Sequence, residues 1–165
     1  MALAAVVDYL KEHDLRLSTA EASTAGQMAA LLASVPDVGA CVESGYVVYS
    51  REAKKRLLQV SEQTVERFGL ISVEVARAMA AGALQEGPAN LAVATTGVTG
   101  PEPVDGVAPG TVCIAWAFRA GDQIRVLSET VCLSGDRAAV QHTASFYGLT
   151  QIPRLHERVQ AEPLS

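Results

Sequence analysis

Leu91-Ala92-Val93-Ala94-Thr95, followed by the turn-rich run TGVTGPEPVDGVAPG from Thr96 to Gly110, decides how this chain folds. A short apolar run bounded by turn signals is the pattern of a strand buried on both faces, as in a sheet covered by helices on each side. A loop rich in glycine and proline directly after such a strand lies where open α/β sheets hold their ligands, beyond the carboxyl ends of the strands.

The flanking sequence agrees with that reading. Upstream, Leu3, Val6, Val7 and Leu10 form the stripe of an amphipathic helix, and Leu15 to Thr19 alternates like a strand. A small-residue turn, Ala20 to Gly26, then leads into a second helix carrying Met28, Leu31, Leu32 and Val35. Thr24 and Gln27 stand in capping-box spacing at its start and Pro36 marks its end. Cys41 to Tyr49 reads as a strand, and Ser50 opens a helix running to Leu58. Ser61 suits the N-cap of the next helix, with Val60 and Val65 as a hydrophobic staple and Gly69 at its end. Ser72 and Glu74 start another helix, whose Val75, Met79 and Ala83 share a face until Gly87-Pro88.

Downstream, Thr111–Phe118 and Ile124–Leu133 predict a hairpin across Ala120-Gly121-Asp122. A last helix is expected from Ser134, with Val140, Ala144 and Tyr147 inward and Gly148 as its stop. The tail 151–165 has two prolines and weak periodicity, and is expected to be loosely attached. Helices and strands alternate, then a hairpin precedes a helix. This order predicts one three-layer α/β/α domain over residues 1–165, with a mixed, mostly buried sheet.

Composition narrows the function classes. The 165 residues are 49% hydrophobic and 19% charged, too apolar for disorder. A chain of this length buries roughly 70% of its unfolded surface, so no staple is required. Aromatics make up only 5%, which leaves Ala, Val, Leu and Ile to build the core. A net charge of −5 argues against binding nucleic acid or an anionic membrane in bulk. No run approaches the ~18 uncharged apolar residues of a membrane span, and MALAAVVDYLKEHD lacks the basic start of a secretory signal. Cys41, Cys113 and Cys132 have no paired spacing, and His13, His142 and His156 are scattered, so no metal site is expected. A reduced cytoplasm is the expected setting.

Two segments fit the ligand-binding end of the sheet, STAEASTAG (Ser18–Gly26) and TTGVTGPEP (Thr95–Pro103). Free N–H groups at a helix start or in a glycine-rich turn attract phosphate or carboxylate. Small residues there also serve simply to allow tight turns. Neither a GxxxxGK[ST] nor a GxGxxG pattern is present, which disfavours P-loop and dinucleotide-binding readings. Arg51, Lys54 and Lys55 share one side of a helix, an arrangement that taken alone is usually a solvated face. Arg137, in the first turn of the last helix, opposes the helix dipole, as a cation facing an anionic ligand would.

TAEASTAG, ESGYVVYSREAK, ATTGVTGP, PGTV and SGDR, in that order from about Leu17 to Tyr147, resemble the C-terminal domain of CinA, the competence/damage-inducible protein. The resemblance implies an α/β/α domain, commonly a homo-oligomer, whose loops form the pocket. It implies hydrolysis of nicotinamide mononucleotide to nicotinic acid mononucleotide and ammonia in pyridine nucleotide salvage, with no metal or organic cofactor. The partner it implies is therefore a small nucleotide, neither nucleic acid nor membrane.

Family members typically read TAESCTGG in the first segment, with the serine after the glutamate as proposed nucleophile. Here that position is Ala22, which has no heteroatom to attack a carbonyl. Ser23 follows it, and Ala25 replaces a glycine. Lys54 matches the proposed base, and Tyr49 is carried over beside it as a catalytic candidate. Glu21, Thr24, Gly26, Ser50, Thr96, Gly97, Gly100 and Arg137 are carried over as substrate-binding. Ser44 replaces an arginine, and the loop from Pro101 to Pro109 departs from the family. The expected function is a nicotinamide-nucleotide amidohydrolase domain left weak or inactive by Ala22. A non-catalytic nucleotide-binding or interaction subunit, or an active hydrolase using Ser23, are the alternatives.

Overall fold

Side-chain size is divided between the two faces of the central strands. In β3 (Leu91–Gly97), Leu91 and Val93 point into one core while Ala92 and Ala94 point into the other. In β4 (Thr111–Ala120), Val112, Ile114, Trp116 and Phe118 alternate with Cys113, Ala115 and Ala117 in the same way. Alternation along a strand sends neighbours to opposite faces, so one sequence specifies a bulky layer and a thin one.

The structure, a computed structural model, describes residues 1–162. A five-stranded mixed sheet runs β2-β1-β3-β4-β5, with β1 (Leu17–Glu21), β2 (Val42–Val47) and β5 (Gln123–Cys132) completing it. β1 pairs parallel with β2 and β3, whereas β4 pairs antiparallel with β3 and β5. The bulky layer packs against α1 (Leu3–Glu12), α2 (Gln27–Ala33), α6 (Arg137–Thr150) and α7 (Ile152–Ala161). The thin layer packs against α3 (Arg51–Leu58), α4 (Glu62–Phe68) and α5 (Val73–Gly82). A 3-10 turn, Val38–Ala40, leads into β2. The three-layer α/β/α arrangement with a mixed sheet is the one expected. Leu10, Leu32 and Leu149 are fully buried, each stabilising the fold by about 1.5–3 kcal/mol.

Local signals account for most element ends. Ser50, Ser61 and Ser72 are the N-caps of α3, α4 and α5, their hydroxyls accepting from Ala53, Thr64 and Val75 N–H groups. The β4–β5 hairpin closes on Gly121-Asp122, with Gly121 at φ +62, as the two-residue turn requires.

Three expectations are corrected. The last helix is capped by Asp136, which accepts from Ala139 N–H, and begins at Arg137 rather than near Ser134. Gly148 does not stop that helix. It sits inside α6 facing Met28, Val93 and Ile114, and its carbonyl accepts from Trp116 Nε1 at 2.7 Å. The tail is not loose over 152–161. It forms α7, whose Ile152, Leu155, His156 and Val159 are buried, and Arg125 donates to the Val159 carbonyl. Pro163–Ser165 lie outside the described residues.

His156 fixes α7 to α1 through Tyr9, whose hydroxyl lies 2.9 Å from Nδ1, and it stacks on Phe118. Burial, with His13 beside it, holds the His156 pKa below the ordinary histidine value against the opposing pull of Glu157. The unfolded chain therefore takes up this proton first as pH falls through about 6.5, and stability present above that range is lost below it. We expect the thermal unfolding midpoint to fall between about pH 7.5 and 5.5, and to fall less in His156→Gln. Equal slopes for the two proteins would remove the histidine from this role.

Candidate active site

β1 and β3 are parallel neighbours, so their carboxyl ends deliver the first loop (22–26) and the glycine-rich loop (98–110) to one place. Ala22 N–H donates to the Thr95 carbonyl at 3.0 Å, and Thr24 and Thr95 hydroxyls meet at 2.7 Å. The two loops are thus stitched together at their roots.

Glu21 organises the first loop. It is fully buried, and its carboxylate accepts from the Thr24 hydroxyl at 2.7 Å and from Met28 and Ala29 N–H groups at 2.9 and 3.2 Å. The residue before α2 is Gly26, in the left-handed conformation with no side-chain cap. The capping box expected from Thr24 and Gln27 does not form, because the strand's own glutamate reaches back and takes the free N–H groups. Ser23 is not a cap either. Its Oγ is buried without a hydrogen-bond partner, and its carbonyl accepts from Gln141 Nε2 at 3.1 Å.

Gly97 leaves no room for a side chain, since a Cβ there would lie 2.5 Å from the Thr111 carbonyl. Thr96 is 3% exposed and its hydroxyl donates to the Leu70 carbonyl at 2.9 Å. Arg137 Nη1 donates to the Gly100 carbonyl at 2.8 Å. Gln141 follows Arg137 by four positions on α6 and so shares its face. One helix therefore grips both loops, through Arg137 on one and Gln141 on the other.

Lys54, on α3, is 2% exposed, and Nζ donates to the Tyr49 carbonyl at 2.7 Å. Among the described residues it forms no ion pair with a carboxylate. Burial alone lowers its pKa below the ordinary lysine value, because removing the ammonium from water disfavours the charged form. Such an amine is available as a base at lower pH than a surface lysine.

A cavity of about 380 Å³ opens between the loops, lined by Ser23, Tyr49, Gly97, Gly100 and Arg137 together with Val98, Thr99, Pro101, Glu102 and Val104. Of the site residues expected from sequence, five line it. Glu21, Thr24 and Thr96 bond to groups of the fold behind it, Gly26 starts α2 and Ser50 caps α3. Ala22 is 6% exposed. Gln141, Glu102 and Val104 escaped the sequence reading, since the first acts across 118 positions and the others lie in the divergent part of the loop. A larger cavity, about 490 Å³, lies at the opposite end of the sheet around Phe118 and His156, away from the carboxyl ends of the parallel strands β1, β2 and β3. Among the described residues no three His, Cys, Asp or Glu are placed to hold a metal ion, and no helix is long and apolar enough to cross a membrane.

A family model described as the CinA C-terminal domain matches residues 2–155. Among curated relatives, nicotinamide-nucleotide amidohydrolase PncC of Pseudomonas putida is 39% identical over 149 residues, covering 88% of this chain and 91% of that protein. Protein YdeJ of Escherichia coli is 35% identical over 142 residues, covering 86% of this chain and 80% of that one. A CinA-like protein of Akkermansia muciniphila is 42% identical over 119 residues, 72% of this chain but only 29% of that much longer protein. Among solved structures, a CinA superfamily protein from E. coli superposes with a TM-score of 0.87 at 33% identity, covering 93% of this chain and 88% of that one. Competence damage-inducible protein A (ComA) from Klebsiella pneumoniae gives 0.86 at 33%, covering 98% of this chain and 97% of that one.

Proposed function

The chain belongs to the CinA C-terminal domain family, and from that premise we propose that it binds a nicotinamide nucleotide in the cavity between its two loops. On this reading it hydrolyses the carboxamide slowly or not at all. The observation that carries it is Lys54, buried, without a counter-ion and with its pKa lowered, donating to the carbonyl of Tyr49, a residue that lines the cavity. An ammonium buried with one carbonyl partner and no counter-ion costs folding energy, and a reaction that needs a neutral amine accounts for keeping it.

Amide hydrolysis here adds water across a C–N bond to give a carboxylate and an ammonium ion. A serine oxygen would attack the carbonyl carbon while the lysine takes its proton and hands it to the departing ammonia as the C–N bond breaks, leaving an acyl ester that water then cleaves. Ala22 supplies no such oxygen, so the lysine is left to activate water directly, which sustains only weak turnover. The amidohydrolase named among the relatives supports the substrate class.

A second reading has its own observation. Ser23 Oγ is buried on the cavity wall with no hydrogen bond, as a hydroxyl awaiting a ligand would be. In that reading Ser23 attacks in place of the missing serine. One residue's shift moves a side chain by several ångströms, and about 1 Å of misplacement costs around 100-fold, so the first reading is preferred.

Calorimetry with nicotinamide mononucleotide and an ammonia assay on the purified chain test both readings. Binding with little ammonia is expected, unchanged by Ser23→Ala. Brisk release that Ser23→Ala abolishes would transfer the role of nucleophile to Ser23. A cytoplasmic setting and a homo-oligomer remain part of the proposal, the latter tested by sedimentation.

A further inference from the structure

The larger cavity, at the far end of the sheet, shares no lining residue with the one between the loops. At about 490 Å³ it has the size of a small-molecule site. Three elements enclose it. The end of β4 brings Phe118 and Arg119, the end of α1 brings His13, and α7 brings His156 and Val159. Its inner wall is apolar and aromatic. Phe118 and Val159 are buried, the His156 ring stacks on Phe118 with 5.6 Å between centroids, and the His13 ring meets His156 edge-on at 5.5 Å. A flat aromatic molecule packs against rings in these two ways.

The polar groups around that wall fall into two sets. Asn90 spends its amide on the chain, Oδ1 accepting from Arg16 N–H at 2.7 Å and Nδ2 donating to the Asp14 carbonyl at 3.0 Å. Glu162 is paired with both Arg125 and Arg158. Arg119 differs. Its Nη2 donates to the Leu84 carbonyl, and among the described residues no carboxylate pairs with it. His156 is 8% exposed and meets Tyr9 through Nδ1, and its Nε2 has no hydrogen-bond partner among the described residues. The cavity therefore holds an uncompensated guanidinium beside a wall of rings. A carboxylate placed there gains charge-assisted hydrogen bonds from the remaining guanidinium N–H groups.

We infer that this cavity is a second binding site, for a planar aromatic carboxylate whose ring lies against Phe118 and His156 and whose acid group meets Arg119. It is independent of the ligand class proposed for the loops, since neither site uses a residue of the other.

Calorimetry and amide chemical-shift mapping on the full chain test this with three probes: 2-naphthoate, its uncharged amide 2-naphthamide, and the saturated, non-planar decahydro-2-naphthoate. 2-Naphthoate should bind with a Kd at or below about 1 mM. The amide should bind about tenfold more weakly and the saturated acid about threefold. Shifts should concentrate on Phe118, Arg119, Ala120 and Val159, and leave Gly97 and Gly100 unmoved. Arg119→Gln should weaken 2-naphthoate about tenfold. Because Arg119 also holds the Leu84 carbonyl, the comparison of acid with amide on the unaltered chain carries the test should that variant fail to fold. Equal affinity for the acid and the amide, or for the flat and the saturated acid, would overturn the inference. So would no binding at about 5 mM, shifts centred on Gly97 and Gly100, or a folded Arg119→Gln protein of unaltered affinity.

Discussion

Ala22→Ser should convert a slow or silent chain into one that releases ammonia from nicotinamide mononucleotide roughly 10²–10⁴ times faster, the range a positioned general base contributes. The substitution adds one oxygen at a position only 6% exposed, in a loop whose backbone is held from several sides. Ala22 N–H bonds to Thr95, Glu21 anchors the turn and Gln141 holds the next carbonyl. Such a loop is organised before any ligand arrives, so a new hydroxyl would inherit an ordered place. The pH dependence gives the base away. The neutral form of Lys54 is the one that accepts a proton, and burial lowers its pKa. The rate should therefore climb with pH and level off below the ordinary lysine range. Lys54→Met in the same background should return the protein to its starting rate. No gain from Ala22→Ser, with nucleotide binding intact, would show that Lys54 does not serve a nucleophile at that position.

Gly82→Ala should be the most damaging single methyl in the thin layer. A Cβ at Gly82 would lie 1.8 Å from the Leu58 carbonyl and 2.6 Å from its carbon, both backbone atoms that cannot swing aside. Either α5 or the end of α3 has to move. Overpacking of this kind costs about 3 kcal/mol, which for a domain of this size lowers the thermal midpoint by roughly 6–12 °C. Leu58 closes the helix that carries Lys54 one turn earlier. The same change should therefore also reduce any activity restored by Ala22→Ser, beyond what lost stability explains. An unchanged midpoint would mean that α3 and α5 are not locked at this contact.

Much of this architecture could be read along the chain because its signals are local. β3, the β4–β5 hairpin and the serine caps all rest on residues within a few positions of one another. Two misreadings have the same origin. Gly148 looks like a helix stop until Trp116, 32 positions away, is seen bonded to its carbonyl. The stripe Ile152, Leu155, His156 and Val159 has helical spacing, but a histidine among the apolar residues and two nearby prolines hid it. At the site, the two loops that flank the cavity were legible as turns following β1 and β3. Whether their donors were free was not, since Glu21, Thr96 and Arg137 find partners through the fold, not along the sequence.

Arg137 and Gln141 project from one rigid rod to the two lips of the cleft, one lip each. The width of the opening is then a single coordinate rather than two. A substitution that shifts α6 should therefore disturb both lips at once, even though they are 118 and 37 positions from the residues that hold them.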